Sequence, residues 1–397
     1  MVLIAEAGLL VFALLCAVPA LTLLAEILAS LPASQPRNLP DLRPSVAVLI
    51  PAHDEREHIA AAVQGAREQL VVGDRLIVIA DNCSDETAAL AEAAGAEVVE
   101  RHDPERRGKG FALDAGLRFL DHTGVREVIV VVDADCSLHA CAIERLAAAC
   151  AAENAPVQAA YLFTPAPGGS AAHRIGAFAA RVRTLARPLG ARRLGMACPI
   201  MGSGFALPAT CLPLVNLATG HLAEDGKLGL DLALAGVAPR YCPEARVESP
   251  LPGGEAARRT QQTRWEHGQV ALIRTYALRT LQEAWRRGDP RLAGVALDLC
   301  VPPLVGLALI TGGALLLTAG WAVAGGGYGA VLVAGGAAVS LSAAIIFAAW
   351  RWGGGLISWR DLTALPHFIL TKLPILAGAL TRPQAKWIRT ERTSTTT

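Results

Sequence analysis

The chain has 397 residues, with Lys+Arg 36 against Asp+Glu 35, so it is close to electrically neutral. A nucleic-acid binder needs surplus basic charge to displace counterions from phosphates, and that class is excluded. Hydrophobic residues reach 53% and charged ones only 18%, which is too apolar for a soluble domain, and the length allows two or three structural units.

The apolar excess is concentrated. Residues 7–25 carry no charge and are long enough to cross the hydrocarbon as one helix. The residues before them hold Glu6 and no basic side chain, which favours a retained anchor over 1–31 rather than a cleaved signal peptide. Pro32, Pro36, Pro40 and Pro44 recur at every fourth position, so 32–44 reads as a stiff linker.

Strand and helix patterns then alternate through the segment 45–290. Apolar runs at 46–50, 76–80 and 128–132, with a shorter one at 97–99, predict strands. Helical periodicity at 56–70, 87–95 and 111–120 predicts helices between them. Such alternation implies a parallel sheet covered on both faces, with the ligand beyond the carboxyl ends of the strands.

From 299 to 350 there is no Asp, Glu, Lys or Arg. That run suits two helices joined at Gly325, Gly326 and Gly327, with Pro302 and Pro303 kinking the first turn, and predicts a transmembrane hairpin over 291–350. In the last segment, 351–397, residues 357–380 mix apolar side chains with Arg360, His367 and Lys372, as interfacial helices would, and a basic tail follows. Arg37 and Arg43 follow the first span, Arg286, Arg287 and Arg291 precede the second, and Arg351 and Arg360 follow the third. Basic flanks stay cytosolic. Three crossings therefore place 32–290 and the tail in the cytosol, at what would be a bacterial inner or cell membrane. The 9 cysteines form no CxxC pair and no Cys/His cluster, which fits a reducing compartment rather than a disulfide framework or a structural zinc site.

Acidic residues follow three of the strands. The first gives Pro51-Ala52-His53-Asp54-Glu55, the second Asp81-Asn82-Cys83-Ser84-Asp85, and the third Asp133-Ala134-Asp135. No GxGxxG follows any strand, and Gly108-Lys109-Gly110 lacks the spacing and hydroxyl of a phosphate loop. A row of carboxylates repels a phosphorylated ligand unless a divalent cation intervenes. Asp-x-Asp after a buried strand presents oxygen ligands suited to Mg²⁺ or Mn²⁺.

Taken together, Asp81, Asp133-Ala134-Asp135, Glu224-Asp225 and Gln261-Gln262-Thr263-Arg264-Trp265 resemble, in order and spacing, the family 2 glycosyltransferases. The likeness is to the membrane-anchored branch with cellulose, chitin and hyaluronan synthases and ceramide glucosyltransferase. It covers about 45–270 and implies an α/β fold of the GT-A type: a Rossmann-like, mostly parallel sheet in a cytosolic domain, with one N-terminal and two C-terminal transmembrane helices. It further implies that Asp81 contacts the nucleobase and that Pro51, Ala52, His53 and Glu55 line the nucleotide pocket. Asp133 would bind the nucleotide sugar, Asp135 would hold the metal between the two phosphates, and Lys109 would be the basic residue near the donor. Inversion at an anomeric carbon needs one carboxylate to take the acceptor's proton, a role that falls to Asp225, with Glu224 beside it. Where the family often has Thr before this pair, the chain has Ala223. Arg264 would meet the charge developing on the leaving diphosphate, Gln261 would share its helical face, and Trp265 would lie against the acceptor. Gly202, Ser203 and Gly204 resemble the acceptor-side loop.

The implied partners are a nucleotide-sugar donor, most simply a UDP-hexose or UDP-N-acetylhexosamine, a lipid-linked or polysaccharide acceptor, and the membrane. Three spans are few for a polymer channel, so single addition or cooperation with polysaccharide-export proteins is expected. A nucleotidyltransferase shares the sheet and Asp-x-Asp but would not carry the last two motifs, and a catalytically inactive scaffold is the non-enzymatic alternative. Between Glu153 and Glu224 no acidic residue occurs, while Arg174, Arg181, Arg183, Arg187, Arg192 and Arg193 crowd the middle. That stretch reads as a basic helix against anionic headgroups or, alternatively, as a site for a phosphorylated lipid acceptor.

Overall fold

The computed structural model describes residues 2–33, 43–165, 169–252, 254–382 and 384. Linker residues Pro36, Arg37 and Pro40 and the tail after 384 lie outside them. The chain forms two compact units, one from residues 34–168, 197–268 and 384–397, the other from 1–33, 169–196 and 269–383.

The first unit is built on an eight-stranded sheet of order β3-β2-β1-β4-β7-β6-β8-β5. Its strands are β1 (Val46–Ala52), β2 (Arg75–Asp81), β3 (Glu97–Arg101), β4 (Val128–Val131), β5 (Ser137–Leu138), β6 (Val157–Thr164), β7 (Phe205–Pro208) and β8 (Arg240–Pro250). The β3-β2-β1-β4 half is parallel throughout, as the alternating pattern predicts. Beyond β4 the sheet is mixed: β7 runs antiparallel to β4 and β6, β5 runs antiparallel to β8, and β6 pairs β8 in parallel. The sequence pattern behind the parallel reading came only from residues before 133, so this reversal lay beyond its reach.

Leu49, Ile77, Ile79 and Ile129 are fully buried on one face of the sheet. Leu113 and Leu120 of α4 (Lys109–Thr123) and Leu228 and Leu232 of α8 (Glu224–Leu234) cover them. Each such side chain contributes about 1.5–3 kcal/mol on burial. A Cβ at Gly116 would stand 2.9 Å from Ile79 Cδ1, so α4 lies directly on the sheet. This packing aims the first turns of α4 and α8 at the carboxyl ends of β1 and β4.

The second unit holds three helices long and apolar enough to cross a membrane: α1 (Val2–Ser30), α11 (Leu304–Val323) and α12 (Gly329–Trp352). Pro302 and Pro303 precede α11 instead of kinking it, because Pro303 is its N-cap. The turn between α11 and α12 holds Gly325 at φ +93 and donates from Gly327 N to Glu6 Oε1 at 2.8 Å. At the opposite ends, Trp352 Nε1 donates to Ser30 Oγ at 3.1 Å. The N-terminus of α1 therefore sits beside the hairpin turn, and its C-terminus beside the end of α12. This is the arrangement that three crossings require.

The arginine-rich stretch forms α6 (Ala171–Arg181), one π-helical turn (Val182–Ala186) and α7 (Arg187–Arg193). Most of its cations meet protein groups, which revises both readings of the stretch. Arg187 bridges Glu26 Oε2 (2.8 Å) and Asp298 Oδ1 (2.7 Å), and Arg174 pairs with the buried Asp361. Arg193 donates to Ala29 O and Pro32 O, and Arg181 to Trp352 O. Ala29 O and Trp352 O are carbonyls that a helix end leaves without an intrahelical donor. A Cβ at Gly190 would come within 1.8 Å of Glu26 O, so α7 meets α1 backbone to backbone.

Replacing Arg187 by Ala strands two acids, one of them fully buried at Glu26. A loss of roughly 3–5 kcal/mol is expected, measured as a lower thermal unfolding midpoint in detergent. Arg286→Ala, which breaks an exposed pair with Glu283, should leave that midpoint nearly unchanged.

Candidate active site

The sheet brings the predicted residues to two neighbouring clusters at its carboxyl edge. The first lies at the ends of β1 and β2, which pair in parallel with Pro51 opposite Ile79 and Ala52 opposite Ala80. Asp81 closes β2, with its Oδ1 accepting from Arg101 Nη1 (2.5 Å) and Asn82 Nδ2 (2.9 Å). His53 Nδ1 lies 2.7 Å from Asp81 O, and Glu55 N donates to Thr87 Oγ1 at 2.8 Å. Asp54 Oδ1 accepts from Ser84 N at 2.6 Å, so the two loops are stitched together. Burial raises the Asp81 carboxyl above its ordinary value, and the Arg101 guanidinium works against that rise.

The second cluster centres on Lys109, in the first turn of α4. Its ammonium pairs with Asp133 and donates to Gly202 O at 2.7 Å. Burial disfavours the charged amine, yet Asp133, Glu224 and Asp225 together hold its pKa above the ordinary lysine value. The segment leading to α8 lies on this turn, since a Cβ at Gly110 would meet Leu217 O at 2.5 Å and Glu224 Cβ at 3.6 Å. Glu224 and Asp225 are the first residues of α8, where the helix N-terminus favours negative charge. Burial first, then the charge of Asp225, pushes Glu224 up to about 7, against the pull of Lys109 and Arg264. A Cβ at Gly202 would stand 3.4 Å from Asp225 Oδ2.

Ala223 is the N-cap of α8 and makes no side-chain cap. A Cβ added at Gly268 of α9 (Glu255–Arg287) would approach the Ala223 Cβ to 2.9 Å, so little room exists here for threonine. His221 serves the cap instead, with Nδ1 accepting from Ala223 N at 3.1 Å. That bond places the ring proton on Nε2, and burial lowers the imidazole pKa, keeping it neutral.

Asp133 N donates to Ser203 Oγ at 2.9 Å, and Asp135 Oδ2 accepts from Ser249 Oγ at 2.9 Å. Ligand atoms of Asp133, Asp135 and Cys136 lie within 4.8 Å of one another. Two carboxylates, one oriented by a hydroxyl behind it, are hard oxygen donors that fit Mg²⁺ or Mn²⁺. The Cys136 thiol is pushed well up by burial and by both carboxylates, so it stays protonated. Further along, Tyr161 packs at a tilt against Phe163 (4.5 Å) and Phe163 against Trp265 (5.3 Å). Gln261 precedes Arg264 by one turn of α9, as a QxxRW helix requires.

Sequence reading missed Gln158. Its side chain is fully buried in β6 and donates to Ser203 O (2.8 Å), Gly204 O (3.2 Å) and Ala159 O (3.1 Å), while Oε1 accepts from Met201 N (2.9 Å). One amide thus shapes the whole loop. A polar residue inside an apolar strand (Val157-Gln158-Ala159-Ala160) was the available signal, because a buried amide needs partners. His221 and Arg101 were also missed, as neither belongs to a motif.

Residues 44–268 match the family described as Glycosyltransferase like family 2. No curated protein sequence matches. Among solved structures, the chain is similar to the mannosyltransferase PcManGT from Pyrobaculum calidifontis, in complex with GDP-Man and Mn²⁺. The likeness has a TM-score of 0.58 and 17% identity, over 95% of this chain and 100% of that one. Glucosyl-3-phosphoglycerate synthase from Mycobacterium tuberculosis, in complex with UDP, is similar at a TM-score of 0.40 and 20% identity, over 60% of this chain and 88% of that one. The fold is that of the GT-A glycosyltransferases. The chain belongs to glycosyltransferase family 2.

Replacing Gln158 by Leu takes the side-chain donor from Ser203 O and the acceptor from the Met201 N–H, while Gly204 O keeps the Ala159 N–H, at about 1–3 kcal/mol for each group that stays dry. Amide exchange at Met201 should then accelerate at least about tenfold while β1 and β2 stay protected, as hydrogen-exchange mass spectrometry would show.

Proposed function

We propose that the chain is an inverting, divalent-metal-dependent glycosyltransferase. It moves a hexose or N-acetylhexosamine from a UDP-sugar to a lipid-linked or glycan acceptor at the cytosolic membrane face. The observation that carries this reading is the joining, through Lys109 and the 201–204 loop, of Asp133 and the Glu224–Asp225 pair in one cleft.

Asp225 takes the proton from the acceptor hydroxyl as that oxygen attacks the anomeric carbon, and the bond to the diphosphate breaks on the opposite face. Glu224, raised to about 7, is protonated below that and so keeps a second charge from standing beside Asp225 there. Pro51, Ala52, His53, Glu55 and Asp81 hold the nucleoside, and Asp133 with Lys109 holds the sugar-phosphate end. Asp135 would hold Mg²⁺ or Mn²⁺, which would neutralise diphosphate charge, and the Mn²⁺ of the mannosyltransferase supports such a metal. Arg264 offers its guanidinium to the leaving diphosphate, Gln261 stands beside it, and Trp265 with Phe163 supplies an apolar wall for the acceptor. Gly202, Ser203 and Gly204 let the acceptor approach the backbone closely. With three candidate spans, single addition to a lipid-linked acceptor is the simplest reading.

The test is release of nucleoside diphosphate by purified protein with Mn²⁺ or Mg²⁺, a panel of UDP-, GDP- and TDP-sugars, and membrane lipid extract. Asp225→Asn should lower turnover by about 10²–10⁴-fold while leaving nucleotide affinity within about threefold. Silence across the panel with wild-type protein would point to a scaffold. A pH profile gives a second check. Ionisation of Glu224 adds negative charge beside the base that takes the acceptor's proton, so kcat/KM should rise with pH through about 7 and then level. Glu224→Gln should abolish that rise.

A further inference from the structure

We infer that Arg101 makes Asp81 a one-oxygen acceptor, so that the site selects a uracil or thymine base over guanine. The inference rests on the reading of Asp81 as the nucleobase contact and adds the residue that sets its selectivity.

Asp81 stands at the end of β2 with its side chain 7% exposed. Its Oδ1 is saturated by two donors, Arg101 Nη1 at 2.5 Å and Asn82 Nδ2 at 2.9 Å, whereas among the described residues no hydrogen bond engages Oδ2. Arg101 cannot swing away easily. Its residue pairs with Asp81 across the β2–β3 ladder, its Nη2 lies 3.1 Å from Asp103 Oδ2, and its guanidinium stacks over the Phe111 ring at 5.6 Å. Asp103 is fixed in turn, with its N–H donating to Asn82 Oδ1 at 2.8 Å and its carboxylate accepting from Arg106 N and Nε. Asp81, Asn82, Asp103 and Arg101 therefore form a ring of three hydrogen bonds closed by the Arg101–Asp103 ion pair, and it presents one carboxylate oxygen.

Uracil and thymine carry one ring N–H between two carbonyls, which a single oxygen satisfies. Guanine carries two adjacent donors, the ring N–H and the exocyclic amine, and needs both oxygens of a carboxylate in parallel. With Oδ1 taken, one guanine donor enters the site without an acceptor, and an unpaired buried donor is a strong ground for rejection.

Titration calorimetry on the full-length protein in detergent with Mn²⁺ tests this, using UDP, TDP and GDP as probes. Wild-type protein should bind UDP and TDP at least about tenfold more tightly than GDP. Arg101→Met keeps the stem over Phe111 and, combined with Asn82→Ala, frees Oδ1. The UDP-to-GDP preference should then fall at least threefold, chiefly through tighter GDP binding. Asp103→Asn, which loosens Arg101 without removing it, should give an intermediate preference and serves if the double variant does not fold. Asp81→Asn separates the two readings. Unchanged UDP affinity in that variant, or no binding of any nucleotide to wild-type protein, overturns the assignment of the base site. UDP binding weakened at least about tenfold by Asp81→Asn, with wild-type preference for GDP or an unmoved preference in the Arg101 and Asp103 variants, overturns the role of Arg101 alone.

Discussion

The ammonium of Lys109 lies among more negative centres than any one of them could hold without it. It pairs with Asp133, reaches Gly202 O, and feels both Glu224 and Asp225. Remove that charge and three carboxylates crowd a partly dry site, with Arg264 still acting on Glu224. Carboxylates gathered in this way cannot all stay ionised. The lysine therefore decides how closely β4, the 201–204 loop and α8 can approach, and the rest of the site is arranged around that approach.

Backbone conformation does the remaining positioning. Gly202 and Gly204 take φ of +91 and +68, and a Cβ at Gly204 would press within 2.6 Å of Val247 Cγ2. A loop of such residues has no intrinsic preference for one shape, and it is Gln158 below and Ser203 beside it that impose one. Preorganisation is the consequence. Groups that must meet developing charge are held before substrate arrives, so little reorganisation is left for the reaction itself.

Much of this was legible in the sequence, for identifiable reasons. The strands β1, β2 and β4 are continuous apolar runs, so their polar ends stood out, and with them Asp81, Asp133 and Asp135. The QxxRW helix and the acid pair were found as motifs, and the three long apolar helices as charge-free runs. What stayed hidden depends on contacts distant in the chain. The antiparallel insertion of β7 between β4 and β6 is a pairing that no local pattern records. Gln158 meets residues more than forty positions away, and Arg101 lies across a strand ladder from Asp81. The arginine-rich stretch misled for a related reason. Its spacing looks like a surface for anions, and only the folded partners show helix-end carbonyls and buried acids in that place.

The same residue type thus serves opposite purposes in the two units. In the unit of long apolar helices, Arg181 and Arg193 donate to carbonyls at helix ends, and Arg187 pairs with the carboxylates of Glu26 and Asp298. In the sheet unit, Arg101 occupies an acceptor that water or a ligand could have used, so its effect is to subtract a hydrogen-bonding option from the cleft. Subtraction of this kind is an effective source of discrimination. A site rejects the wrong partner more strongly through a donor left unmatched than through an attraction it adds for the right one.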